Sequence, residues 1–140
     1  MTGRFFLDTS VFVYTFDSRL PAKRTKAAQL IRRAFDTGQG VVSYQVVQEF
    51  FNLALRRFSP AMTFAEAEQY LTTVFRPILA VESSPAIFLE ALRIASKHGV
   101  GWYDSVIVAA AIESGCDVLY SEDLEDGRTI ENLRIENPFA

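Results

Sequence analysis

The chain has 140 residues, 49% hydrophobic, 22% charged and 13% aromatic, a make-up that fits one domain with a sizeable core and excludes disorder or a two-domain layout. Its longest apolar run, Val106 to Ile112, falls short of the roughly 18 residues a membrane span needs, and one cysteine, Cys116, with one histidine, His98, excludes an internal disulfide and a zinc site of the usual nitrogen and sulfur kind. The net charge of −3 hides an asymmetry: residues 1–60 carry nine bases and four acids (+5), residues 61–140 five bases and thirteen acids (−8).

The spacing predicts a strand at Phe5–Leu7, buried on both faces and ended by Asp8. The stretch from Ser10 to Phe16 reads equally as helix or strand, and Asp17, Ser18 and Pro21 break the chain before a helix over Ala22–Phe35, closed by Gly38. Arg19, Lys23, Arg24, Lys26, Arg32 and Arg33 follow one another with no acid between them. They form either a phosphate track, with Lys23, Arg24 and Lys26 at its centre, or a solvated helix face. A short strand at Val41–Val42 precedes a helix over Tyr44–Phe58 with Ser43 as N-cap. Thr63 caps a helix to Phe75 with Glu66 completing a capping box, and Pro77 ends it. A strand over Ile78–Val81, a helix from Pro85 to His98 stopped by Gly99, a helix over Ser105–Ser114 opened by Asp104, a strand at Val118–Tyr120 and a further one at Leu133–Ile135 complete the chain.

Short buried strands alternating with helices predict an α/β domain spanning 1–140: a central, mostly parallel sheet of four to five strands between two helical layers. No signal segment opens the chain, so a soluble cytoplasmic protein is expected. Working residues in such sheets lie beyond the C-terminal strand ends, where strand order reverses. Asp8 and Asp123 each follow a predicted strand and therefore meet at one edge. Asp104 either caps its helix or faces that edge, and Asp8 equally reads as a cap for the segment opened by Thr9 and Ser10. At about 100° per residue, Glu49 shares a stripe with Gln45, Asn52 and Arg56, away from the apolar stripe of Phe50, Phe51 and Phe58; this is either solvent face or cleft wall. Glu122 and Asp123 should alternate at their strand end, one toward the edge and one toward solvent. Carboxylates gathered without His or Cys suit a hard dication such as Mg²⁺ or Mn²⁺, which lowers the pKa of a bound water for phosphodiester hydrolysis.

These residues resemble the PIN-domain ribonucleases, and within them the toxins of VapBC-type toxin–antitoxin pairs. FLDTSVFVYTFD is similar to the family's first motif, SYQVVQEFFN to its second, GWYDSVIVAAAIESGCD to its third and LYSEDLEDG to its fourth. The tail ending in Asn137, Pro138 and Phe139 is similar to a subgroup of single-domain members. The resemblance implies a metal-dependent endoribonuclease of the three-layer PIN-like fold, with Asp8, Glu49, Asp104 and Asp123 as the catalytic and metal-holding quartet. Ser10, where Asn is the family's commoner residue, Ser121 and Asp126 are implied in support. Cleavage leaving a 5′-phosphate and a 3′-hydroxyl is implied, as are an RNA substrate and an antitoxin whose peptide blocks the cleft. Two other readings stand beside it. A non-catalytic module of this fold binds RNA or protein, and a haloacid-dehalogenase-type phosphatase needs a second Asp where this chain has Ser10. Trp102 reads as core in preference to a ring that stacks on a base, and His98 as a helix C-terminal residue favoured by the dipole. Phe12, Phe16, Phe50, Phe51, Phe58 and Phe75 exceed what one small core hides, so a homodimer face or antitoxin groove is expected to use part of them.

Overall fold

The computed structural model describes residues 2–140. Six strands form one sheet in the order β3-β2-β1-β4-β6-β5: β1 (Phe5–Leu7), β2 (Gly40–Ser43), β3 (Leu79–Val81), β4 (Val118–Tyr120), β5 (Thr129–Ile130) and β6 (Leu133–Glu136). All neighbours are parallel except β5 and β6. Successive residues of a strand point to opposite faces, and Phe5, Phe6 and Leu7 are all buried, so both faces of β1 are covered. The sheet therefore lies between helices, as the alternating pattern predicts.

Among the described residues, seven α-helices surround it: α1 (Thr9–Tyr14), α2 (Pro21–Thr37), α3 (Tyr44–Ala54), α4 (Phe64–Tyr70), α5 (Arg76–Ile78), α6 (Pro85–His98) and α7 (Trp102–Glu113). The ambiguous stretch after β1 is thus helical. Asp8 starts it, its carboxylate accepting the Thr9 N–H. α7 is buried from Ser105 through Ala111; a helix apolar all round has no solvent face, and α6 packs over it. Pro21 in the first turn of α2 and Gly38 in the left-handed conformation after it bound that helix as expected. Gly40 is required for a different reason. A Cβ there would lie 2.2 Å from that of Ala34, so the strand passes α2 more closely than any side chain permits.

Several boundaries differ from the sequence reading. α3 stops at Ala54 rather than Phe58 because the Leu53 carbonyl gathers the N–H groups of Arg56, Arg57 and Phe58 into a tight turn. Pro77 does not end its helix. The chain passes through a π-helical segment, Leu71–Phe75, and stays helical to Ile78. There the hydroxyls of Thr72 and Thr73 occupy the carbonyls of Glu68 and Gln69 (2.9 and 2.8 Å) while the Arg76 N–H reaches back to Leu71. Ser43 sits at the N-cap of α3 but belongs to β2, and its hydroxyl makes no capping bond. The sixth strand, β5, is too short for a periodicity signal. It returns through Glu131 and Asn132, both at positive φ, and Arg93 and His98 hold the Glu131 carboxylate at 2.7–2.8 Å.

The aromatic surplus is mostly core. Phe12, Phe50 and Phe75 are fully buried and Phe51 and Phe58 partly so; only Phe16 is largely exposed. Edge-to-face and offset packing accommodates them. Phe50 stacks on Tyr70 (centroids 4.9 Å, 9° between planes) and meets Phe75 edge-on at 5.2 Å, each such pair contributing about 0.5–1.5 kcal/mol beyond area burial. Trp102 departs from its core reading. Because α7 starts at Trp102, the indole stands at the helix end, 40% exposed, against Phe88. Among the described residues no helix is long and apolar enough to cross a membrane.

Candidate active site

The strand order reverses at β1 and β4, and the chain leaving each strand turns outward there. Asp8 follows β1 directly, and its N–H donates to the Tyr120 carbonyl at the end of β4 (3.1 Å). It is 4% exposed. Both carboxylate oxygens are held, Oδ1 by the Thr9 N–H at 2.7 Å and Oδ2 by the Ser121 hydroxyl at 2.7 Å. The Ser121 oxygen in turn accepts the Asp123 N–H at 3.2 Å. Ser121 thus couples the first acid to the segment carrying the last one.

Glu49 stands on the wall of a cleft. Its Oε2 accepts the Thr9 hydroxyl at 2.8 Å and its Oε1 the Gln45 amide at 2.9 Å. The same Gln45 amide donates to the Tyr103 carbonyl (3.2 Å), tying α3 to the first turn of α7. Asp104 does not cap that helix. Gly101 holds the N-cap position in an extended conformation and the Ser105 N–H bonds its carbonyl, so Asp104 lies in the first turn, with its carboxylate near the positive helix end. The cap at Asp8, in contrast, is made as the sequence allows.

Thr9, Ser10, Val13, Tyr14, Glu49, Asn52, Leu53, Glu122 and Asp123 line a cleft of about 390 Å³ beside these groups. Glu122 and Asp123 both face it. β4 ends at Tyr120, so strand alternation no longer applies two residues later. Tyr14 donates to Glu122, and Lys23 donates to the Tyr14 oxygen (3.2 Å) and to Glu122 (3.3 Å). Ser10 lines the cleft with a buried hydroxyl that has no partner among the described residues. Asp126 is placed differently, accepting the Asn137 N–H at 2.8 Å and anchoring the C-terminal tail. Arg24 and Lys26 are exposed on α2.

The acids feel one another. Burial raises the Asp8 pKa to about 6 against the opposing bonds from Ser121 and Thr9, with the charges of Asp123 and Glu49 adding to the rise. Asp104 is raised by burial, then by Asp123 and Glu49, and Asp123 by burial, then by Glu122 and Glu49. The donor set is carboxylate and hydroxyl oxygen without nitrogen or sulfur, which fits a hard dication and not a soft one. Among the described residues no three of these side chains are grouped tightly enough to clasp an ion as they stand.

Sequence reasoning missed two supporting residues. Thr9 fixes Glu49 across 40 positions, and its only signal was a hydroxyl beside Asp8. Tyr14 lies four residues after Ser10, on the same helical face, a spacing hidden while the segment read equally as strand. His98 is placed as expected, in the last turn of α6.

Solved structures of similar fold are distant in sequence. VapBC from Salmonella typhimurium, determined with bound DNA, is 22% identical over 95% of this chain and 96% of its own (TM-score 0.63). FitAcB from Neisseria gonorrhoeae is 15% identical over 96% and 98% (0.61), and a sarcin–ricin-loop-cleaving VapC toxin from Mycobacterium tuberculosis 17% identical over 84% and 88% (0.58). No curated protein matches the chain. The PIN domain model matches residues 5–128, an interval that holds Asp8, Glu49, Asp104 and Asp123 together with every strand up to β4. That match leaves no room for the phosphatase alternative: this chain belongs to the PIN domain family.

Proposed function

We propose that the protein is a metal-dependent endoribonuclease, the toxin of a type II toxin–antitoxin pair, in which Asp8, Glu49, Asp104 and Asp123 hold Mg²⁺ or Mn²⁺ and RNA is the substrate. One observation carries this reading: carboxylates from four separate segments share one electrostatic neighbourhood, and burial and mutual repulsion raise three of them. A dication relieves that repulsion more directly than any protein group nearby. When bound it supplies neutralising charge and an activated water for attack on the phosphodiester.

The chain's own residues do the positioning. Ser121 and the Thr9 N–H fix the Asp8 carboxylate, Thr9 and Gln45 fix Glu49, and the free Ser10 hydroxyl orients an acid or a water at the cleft floor. Single strands and bends of RNA fit such an open site better than smooth duplex. The VapBC structure of like fold supports an antitoxin partner. A groove of about 740 Å³, which includes Phe16, Phe58 and Met62, shares Val13 and Leu53 with the acid cleft, so an antitoxin segment lying in it reaches the acids. The exposed Phe88, Leu89, Leu92, Trp102 and Tyr103 of α6 and α7 supply a face for the homodimer. RNA as substrate implies the cytoplasm.

Mn²⁺ binding followed by electron paramagnetic resonance tests the metal assignment. Near neutral pH the wild-type chain should bind Mn²⁺, and Asp8→Asn and Glu49→Gln should each weaken binding at least tenfold. Equal binding by the variants, or none by the wild type, contradicts it.

A further inference from the structure

The basic run of α2 does not meet the cleft as a unit. Lys23 bonds two side chains that line it, Tyr14 and Glu122, and its ammonium lies over the rings of Tyr14 (4.8 Å) and Phe139 (5.8 Å). Arg24 and Lys26 bond no residue lining the cleft among the described residues. A base outside the run stands in the same relation to another wall. Arg56, in the turn after α3, donates to the side-chain amide oxygen Oδ1 of Asn52 at 3.2 Å, and Asn52 lines the cleft.

A negatively charged cleft needs positive charge where a polyanion enters and leaves it. A dication at the acids answers only for the phosphate being cut, while the phosphates one nucleotide away remain uncompensated. Lys23 is available to one of them. Its pair with Glu122 is partly exposed (36% and 23%), and such pairs contribute little, so a phosphate can take over the ammonium at small cost. The bonds from Tyr14 and Glu122 also raise its pKa and keep it cationic. Arg56 is bonded only to a neutral amide, which leaves its charge free among the described residues.

We infer that Lys23 and Arg56 bind the RNA phosphates on the two sides of the scissile one, Lys23 at the wall of α1 and Glu122 and Arg56 at the wall of α3. This rests on the nuclease reading of the cleft. It also redraws the phosphate track, which runs across the acids and not along α2.

The test is the salt dependence of oligouridylate binding to the Asp104→Asn protein with Mg²⁺ present, read by fluorescence anisotropy. Each single-strand phosphate contact contributes about 0.7 to the slope of log K against log salt. Lys23→Gln and Arg56→Gln should each lower the slope by about 0.7 and together by about 1.4, while Arg24→Gln with Lys26→Gln leaves it unchanged. In the active enzyme each of the first two should raise KM about fivefold with kcat held, and Lys23→Arg should restore it. An unchanged slope in the double variant overturns the inference, as does an equal loss in the Arg24 and Lys26 pair. Failure of the wild type to cut RNA with any metal, beside the expected slopes, would overturn the nuclease reading and leave the phosphate track standing.

Discussion

Removing the charge of Asp8 should stabilise the fold, although it removes an acid from the site. Asp8 is buried and its pKa rises from 3.8 to about 6 on folding. Between those values the folded chain holds a proton that the unfolded chain has lost, so stability falls as pH rises through the window and the whole penalty is present above about 6. A rise of that size corresponds to about 3 kcal/mol. Asp8→Asn keeps an acceptor for the Thr9 N–H and a polar partner for the Ser121 hydroxyl, and it never ionises. In EDTA, urea unfolding from acid to neutral pH should show the variant equal to wild type below about pH 4 and more stable by about 3 kcal/mol near neutrality. Adding Mg²⁺ should narrow the gap, because the ion binds the wild-type native state. A difference that does not change with pH, or a variant less stable at neutral pH, refutes the claim that a buried charge strains this site.

Ser121→Ala removes the donor that opposes the rise of Asp8 and leaves the Asp123 N–H without its acceptor; the acid limb of the cleavage profile should move to higher pH, and an unmoved limb contradicts the role given to Ser121. Gly40→Ala drives a methyl group into Ala34 and Phe5, and overpacking of this kind should cost about 1–3 kcal/mol in denaturant unfolding. Phe50→Ala empties the centre of the aromatic cluster and should cost about 3–5 kcal/mol, with an m-value near that of the wild type.

Most of the order of elements was legible because those elements left a periodic or punctuating signal: Asp8 ended an apolar triplet, Pro21 and Gly38 bracketed α2, and Thr63 with Glu66 announced α4. The acids could be placed at one edge because parallel strands end on the same side of a sheet. What stayed hidden depended on bonds and packing that leave no pattern in the sequence. The turn that ends α3 is made by one carbonyl, Leu53, and the chain reaches Pro77 through a π-helical segment in which the Arg76 N–H bonds the Leu71 carbonyl; neither has a local sequence signature. Strand alternation failed at Glu122 because β4 had already ended. The start of α7 was misplaced because Asp104 is a good cap by type, whereas Gly101 holds the position. Likewise the burial of Phe12, Phe50 and Phe75 rested on ring geometry, which a count of aromatic residues does not contain.

Incubation of a structured RNA pool with protein freed of co-purifying peptide, in Mg²⁺, Mn²⁺ or EDTA and beside Asp104→Asn, tests the central claim most directly. Cuts bearing a 5′-phosphate are expected, supported by either metal, absent in EDTA and lost in the variant. Cuts that persist in EDTA or in Asp104→Asn, or a substrate pool left whole in every condition, would contradict it.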